Sequence, residues 1–257
     1  MRCIKKKEGQ VTIFIIIGII IIALGVVIYL FYPQIKTTFR FEADNPYSFI
    51  QECLEEKIIN DLDELSLQGG SLEPEHYILY ENEKVEYLCY TGEYYKTCVV
   101  QQPMLKNHIE EEIKNSIKER TTECFDNLEK NYIGEHYDFE LRKGEVNVEL
   151  LPKRIITTFN YSLVLTKDKT ETYDSFDVIV HNNIYELVSV ANSIIKWETS
   201  LGDSETTTYM NYYHDLKVEK KKQTDGSTIY ILTDRNNRNK FQFASRSIAW
   251  PPGYEIK

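Results

Sequence analysis

No HExxH, GxxxxGK or GxSxG string occurs in the 257 residues. That removes the helical zinc-protease pair, the phosphate-cradling loop and the nucleophile elbow. Glycine is scarce, at 11 residues, and no glycine fingerprint follows a strand-like run. Dinucleotide cradles therefore have little to be built from. The five histidines (His76, His108, His136, His181, His214) are scattered, with no two at helical ligand spacing. No CxxC occurs among the five cysteines, which argues against structural zinc. Positive charge is short as well. The formal net charge is −10, and setting aside Arg2, Lys5, Lys6, Lys7 and Glu8 leaves 26 basic against 39 acidic residues. An acidic body of this kind repels phosphate backbones and excludes general nucleic-acid binding. The run Lys220–Lys222, beside Glu219, reads as the solvated face of an edge strand.

What is present is concentrated at one end. Residues 11–32 read VTIFIIIGIIIIALGVVIYLFY and carry no charge. At about 1.5 Å per residue such a run spans roughly 33 Å, enough for a hydrocarbon core of about 30 Å. It predicts a single transmembrane helix with the lipid bilayer as a partner. The lysines before it predict a cytoplasmic N-terminus and an extracytoplasmic C-terminal domain. A cleaved secretory peptide fits poorly, because the apolar run is too long and Phe31-Tyr32-Pro33 follows it instead of small residues. A plain signal anchor and a processed leader both remain open.

The string Lys6-Lys7-Glu8-Gly9-Gln10-Val11-Thr12 resembles the leader junction of archaeal type IV prepilins, which carry class III signal sequences. The resemblance covers about 25 residues. It implies cleavage between Gly9 and Gln10 by a prepilin peptidase-like enzyme. It also implies partners that are either further copies of the chain or pilus-like and envelope assembly proteins. Phe14 stands where many pilins place a glutamate, and Pro33 and Asn45-Pro46 interrupt the long helix of a pilus core.

Cys3 falls on the basic leader, whereas Cys53, Cys89, Cys98 and Cys124 fall in the body, an even number suited to disulfides in an oxidising compartment. Four cysteines allow three pairings. A Cys89–Cys98 bridge across a short hairpin and a Cys53–Cys124 staple between two helices are both plausible.

The periodicity divides the chain into a basic leader (1–10), a transmembrane helix (11–32), a linker (33–45), a helix-hairpin-helix subdomain (46–135) and a sheet subdomain with one helix (136–257). Asn45 reads as an N-cap with Pro46 at the first helical position. Ile50, Leu54, Ile58, Leu62 and Leu65 recur at helical spacing, and Gly69-Gly70 ends that helix. A second helix is predicted over 103–128, and a third shares Ile184, Leu187, Val188, Ala191, Ile194 and Ile195 on one face. Strands are predicted over 77–100, near residues 146–150, 159–165 and 176–180, and over 209–222, 227–233 and 239–247. Bunched strands of this kind predict an α+β fold with two or three amphipathic helices on mainly antiparallel sheet.

Two local clusters carry polar chemistry. His136, Asp138 and Glu140 alternate with Tyr137 and Phe139. They could bind a metal, but alternation alone also gives a strand with a wet face. Gly202-Asp203-Ser204 matches the start of one esterase signature, yet it follows a predicted helix and reads as its stop. The 19 tyrosines say more. Tyr77, Tyr80, Tyr87, Tyr90, Tyr94 and Tyr95 fall close together, and tyrosine buries contact area at low entropic cost. Asn160-Tyr161-Ser162 is a glycosylation acceptor triplet, with Asn160 as the candidate.

These features predict a non-catalytic, membrane-anchored protein without cofactor or metal, acting in structure, assembly or adhesion. An anchored binding module for another envelope complex is the alternative, and an extracytoplasmic hydrolase assembled from distant residues is a third reading. The leader resemblance is read by N-terminal mass spectrometry of protein purified from its native cells. A chain beginning at Gln10 is expected, and one beginning at Met1 would remove the pilin-like reading.

Overall fold

The computed structural model describes residues 15–18, 21 and 45–251. Residues 15–18 and 21 are helical. The expected transmembrane helix, and with it the single-pass topology and the membrane location, is overturned. No helix among the described residues is long and apolar enough to cross a membrane. A span needs about 20 apolar residues in sequence. The described part of 11–32 is five residues, and the rest of that segment lies outside the described residues, as do Gly9 and Gln10. The long helices of the body each carry charged residues among their apolar ones.

Residues 45 onward form one unit of mixed α+β structure. Helix α1 spans Pro46–Leu67. Asn45 caps it, its Oδ1 accepting from the Tyr47 N–H at 3.2 Å. Gly69 and Gly70 end it with φ of 85° and 104°, left-handed values that only glycine takes without strain. Its stripe, Ile50, Leu54, Ile58, Leu62 and Leu65, is at most 1% exposed.

The expected helix over 103–128 is two helices, α2 (Leu105–Ser116) and α3 (Lys118–Gly134). Ser116 lies at the break. Its Oγ sits 2.6 Å from Asp61 Oδ2 on α1 and 2.8 Å from the Ile113 carbonyl. Back-bonding of this kind competes with the helical ladder and bends helices. Helix α4 spans Ile184–Leu201, and Gly202 closes it in the left-handed conformation with φ 76°. Helix α5, Thr206–Tyr212, replaces the first part of the strand expected over 209–222. The Glu205 side chain accepts from the Thr207 N–H at 2.9 Å, and that cap outweighs the strand preference of a Thr- and Tyr-rich run.

Twelve strands are described: β1 (Tyr77–Tyr80), β2 (Glu83–Tyr90), β3 (Val99–Val100), β4 (Asp138–Arg142), β5 (Val146–Leu151), β6 (Arg154–Phe159), β7 (Ser162–Thr166), β8 (Thr170–Tyr173), β9 (Phe176–Val180), β10 (Leu216–Lys222), β11 (Ser227–Asp234) and β12 (Lys240–Arg246). They build a six-stranded sheet in the order β1-β2-β12-β11-β10 with β3 on β2, and two three-stranded sheets, β4-β7-β8 and β5-β6-β9. All pairs are antiparallel except β2 with β12, which run parallel.

The body cysteines are paired in two disulfides. Cys53 on α1 joins Cys124 on α3, 71 residues apart, and Cys89 on β2 joins Cys98, 9 residues apart. In the chain-entropy account the long bridge contributes about 4 kcal/mol and the short one about 2.5 kcal/mol. Denaturant melts of a Cys53→Ala/Cys124→Ala double variant should show the larger loss, and Cys89→Ala/Cys98→Ala the smaller.

Candidate functional site

Four of the six clustered tyrosines meet at one cup beside the end of β2. A bulge brings them there. Ala244 of β12 pairs with Tyr87, but the next residue, Ser245, pairs with Cys89, so Leu88 is an extra residue in β2. One extra residue inverts the in-and-out alternation of a strand and re-aims the side chains beyond it. Tyr87 and Tyr90 therefore lie together, ring centroids 5.0 Å apart. His76 packs against both, at 4.8 Å from Tyr87 and 4.3 Å from Tyr90. Tyr77, Tyr94 and Trp250 complete the aromatic lining, and the cup encloses about 410 Å³.

Arg246, the last residue of β12, fills the floor and is 9% exposed. Its guanidinium carbon lies 5.9 Å from the Tyr90 ring centre and 5.5 Å from that of Tyr94. Its Nε donates to the Asp225 carbonyl at 3.2 Å and its Nη1 to the Thr91 carbonyl at 2.5 Å. The cation is thus held by two rings and two neutral carbonyls. Asp225 sits in the β10–β11 turn, where its carboxylate accepts from the Ser227 N–H at 2.9 Å and from Ser227 Oγ at 2.8 Å. The Tyr87 hydroxyl lies 2.8 Å from the same Ser227 Oγ. Burial pushes the Tyr87 pKa up, with the Asp225 charge adding to it. Tyr87 stays protonated at neutral pH, and arginine gives up no proton. Flat rings, a fixed cation and hydroxyls make a surface able to hold a ligand, with His76 and Asp225 in the same lining. The other two tyrosines lie elsewhere. Tyr80 packs on a small second core of Val85, Tyr87, Ile229 and Ala244, and Tyr95 meets Trp250 edge to face.

The remaining sequence candidates separate. His136, Asp138 and Glu140 are exposed, while Tyr137 and Phe139 pack against the core. No group of three metal-ligating side chains occurs among the described residues. Asp203 pairs with Lys220, and Ser204 is 2% exposed with its Oγ unpartnered. Asn160 is exposed in the two-residue link between β6 and β7.

Two polar clusters had no signal strong enough to be singled out in the sequence. At the exit of α1, Ser71 Oγ donates to Glu86 Oε2 at 2.5 Å and lies 2.7 Å from His108 Nε2. Glu112, one helical turn beyond His108, accepts from the Leu72 N–H at 2.9 Å. A serine, a histidine and carboxylates in contact invite a nucleophilic reading. Burial opposes it, since Ser71 is 4% exposed. Ser71 donates to Glu86, and the His108 tautomer sets the sense of the Ser71–His108 contact. The cluster clasps the α1 exit loop onto β2 and α2.

The second cluster surrounds Glu198, which continues the apolar stripe of α4 and is 2% exposed. It accepts from the Tyr230 hydroxyl and, at 2.9 Å, from Ser245 Oγ. Burial raises its pKa, and burial likewise lowers that of Lys220 nearby. The stripe spacing from Ala191, Ile194 and Ile195 does put Glu198 inside, but only the fold supplies its partners.

No protein family, no curated protein and no solved structure matches this chain.

A carboxyl whose pKa is raised by folding holds its proton more tightly in the native chain than in the unfolded one. Its effect is to make stability highest below the usual value of 4.5 and to let it fall as pH climbs from there through the folded value. Glu198→Gln keeps an acceptor for Tyr230 and cannot ionise, so it should flatten that fall in urea melts between pH 4 and 8. Glu86, raised in the same way by burial, leaves a residual slope. Glu198→Ala strands two buried hydroxyls and should cost about 1–3 kcal/mol.

Proposed function

We propose that this chain is a non-catalytic recognition module with a role in assembly or adhesion, and that the tyrosine-lined cup around Arg246 is its contact surface. The observation that carries the reading is the combination in one cavity of four tyrosine rings and a nearly buried guanidinium whose hydrogen bonds, among the described residues, go to carbonyls. Aromatic and arginine side chains dominate the energetics of contact surfaces because they bury much area and are stiff. Two disulfides keep the support of the cup rigid in an oxidising milieu. The pilin-like string at Lys6–Thr12 favours assembly partners, either copies of the chain or a pilus-like or envelope component.

Photo-crosslinking in the native cells tests this directly. A crosslinking amino acid at Tyr94, 42% exposed on the rim, is compared with one at Trp197, 50% exposed on α4. The Tyr94 position should capture a defined product that the Trp197 position does not. A ladder of self-adducts identifies a subunit role, and one foreign adduct identifies a module for another complex. Tyr94→Ala should weaken binding of the captured partner by roughly tenfold, the equivalent of about 1.4 kcal/mol of lost aromatic contact. Equal capture at both positions, or unchanged affinity in Tyr94→Ala, would exclude the cup as the contact surface.

A further inference from the structure

A second cavity lies between α4 and α5, with chemistry opposite to that of the cup. It encloses about 640 Å³ and its lining is mainly apolar. Four tyrosines face it: Tyr185 from α4, Tyr209 and Tyr212 from α5, and Tyr213 just beyond. Tyr209 reaches across to α4, its hydroxyl 2.9 Å from Ser193 Oγ. Tyr212 and Tyr213 meet edge to face at 4.8 Å and are 77% and 49% exposed. That is a large aromatic surface for a short helix to leave open to water.

Three carboxylates share the same lining: Glu186, Asp215 and Asp234. Neutral donors orient two of them. The Lys153 backbone N–H donates to Glu186 at 3.1 Å. Asn183 Nδ2 and the Asn236 N–H donate to Asp234 at 2.5 and 2.7 Å. None of the three stands in a salt bridge among the described residues. Lys153 is the single lysine of the lining, and its side chain is exposed. Arg235, next in sequence to Asp234, donates to the carbonyl of His214 on the groove wall at 3.2 Å and stands in no salt bridge among the described residues, so three carboxylates face two cations. The groove therefore presents ring faces and surplus negative charge.

Aromatic faces with nearby carboxylates attract cations. The apolar lining decides which cation. A primary ammonium is compact and strongly hydrated, and would lose that hydration against rings that cannot replace its hydrogen bonds. An N-methylated ammonium spreads its charge over methyl groups, sheds water at lower cost, and packs those methyls on the rings. We infer that the α4–α5 groove is a binding site for a quaternary or N-methylated ammonium group.

The test uses the full chain and choline chloride as probe, followed by calorimetry and by ligand-observed NMR. Ethanolamine supplies the unmethylated ammonium, and 3,3-dimethylbutan-1-ol supplies the neutral isostere. Choline should bind at least about tenfold tighter than either, the scale expected for cation–ring attraction at a partly desolvated site. Tyr212→Ala and Tyr213→Ala should each weaken choline by roughly 3- to 30-fold, and Tyr212→Phe should restore it, since the ring face is retained. Both positions are exposed, so an unchanged melting temperature will establish that the variants fold. Asp215→Asn should weaken choline and leave the neutral alcohol unaffected. Equal binding of the alcohol would overturn the inference, as would equal binding of ethanolamine or no choline binding at about 10 mM. The site is separate from the cup, so either result leaves the contact surface at Tyr94 to be judged on its own experiment.

Discussion

The apolar stripe of α1 is the surface on which the rest of the fold is assembled. Ile50, Leu54, Ile58, Leu62 and Leu65 are buried against β9 of one sheet, β12 of another, and helices α2 and α3. The six-stranded sheet also packs on α4, and the β5-β6-β9 sheet on α2, while α1 reaches across to both. Polar side chains fix where each end of the helix lands. Near its start, the Gln51 amide exchanges two hydrogen bonds with the backbone of Ile179, at 2.9 and 2.8 Å. Ile179 lies on β9, an edge strand, and an edge covered in this way is closed to pairing with another chain. At the helix end, Gln242 on β12 donates to the Leu67 carbonyl at 2.6 Å. The Cys53–Cys124 bridge then joins α1 to α3.

From the end of α1 the constraint passes to the cup. The Gly69-Gly70 turn lets the Gln68 carbonyl accept from the Glu86 N–H at 3.2 Å. A Cβ at Gly69 would stand 2.8 Å from the Glu86 Cβ, so a side chain there would push β2 away. The Ser71–Glu86–His108 clasp closes the same joint from the other side. Within the same core, Glu198 ties α4 to Tyr230 of β11 and Ser245 of β12. A carboxylate buried in this way is costly to strand, so its hydroxyl partners are held in one arrangement. With β2 and β12 both fixed, the bulge at Leu88 sets which tyrosines face Arg246.

Much of the scaffold was legible in the sequence because it is local. Asn45-Pro46, the stripe of α1, the glycine stop and the stripe of α4 are statements about neighbours three and four residues apart, and the folded chain keeps them. The strand alternation around Phe159–Leu165 and Phe176–Val180 is of the same kind. The disulfides were partly legible, since Cys53 and Cys124 fall on apolar helix faces, yet four cysteines leave three pairings open. The break at Ser116 was not legible, because it depends on Asp61, a residue 55 positions away. Nor was α5, where one cap at Glu205 decided between helix and strand. The membrane span failed for a different reason. Most of residues 11–32 lie outside the described residues, and among the described residues no helix is long and apolar enough to cross a membrane.

The binding surfaces were the least legible part, although their residues were conspicuous. Counting tyrosines finds a cluster at 77–95 but cannot choose which of the six meet. Tyr87 and Tyr90 are three apart, an odd spacing that would send them to opposite faces of a regular strand. Only the parallel pairing with β12, and the extra residue that it forces at Leu88, puts them together. The α4–α5 groove is harder still, because its four tyrosines are split between positions 185 and 209–213. They become one surface when Gly202 turns the chain back and Glu205 starts a new helix. In both places the rings are common and the charge beside them is what differs: a guanidinium in the cup, carboxylates in the groove. Both cavities sit on a scaffold braced by the Cys53–Cys124 and Cys89–Cys98 bridges and by buried polar contacts. The clasped Ser71 and the buried Glu198, 4% and 2% exposed, brace that scaffold from within.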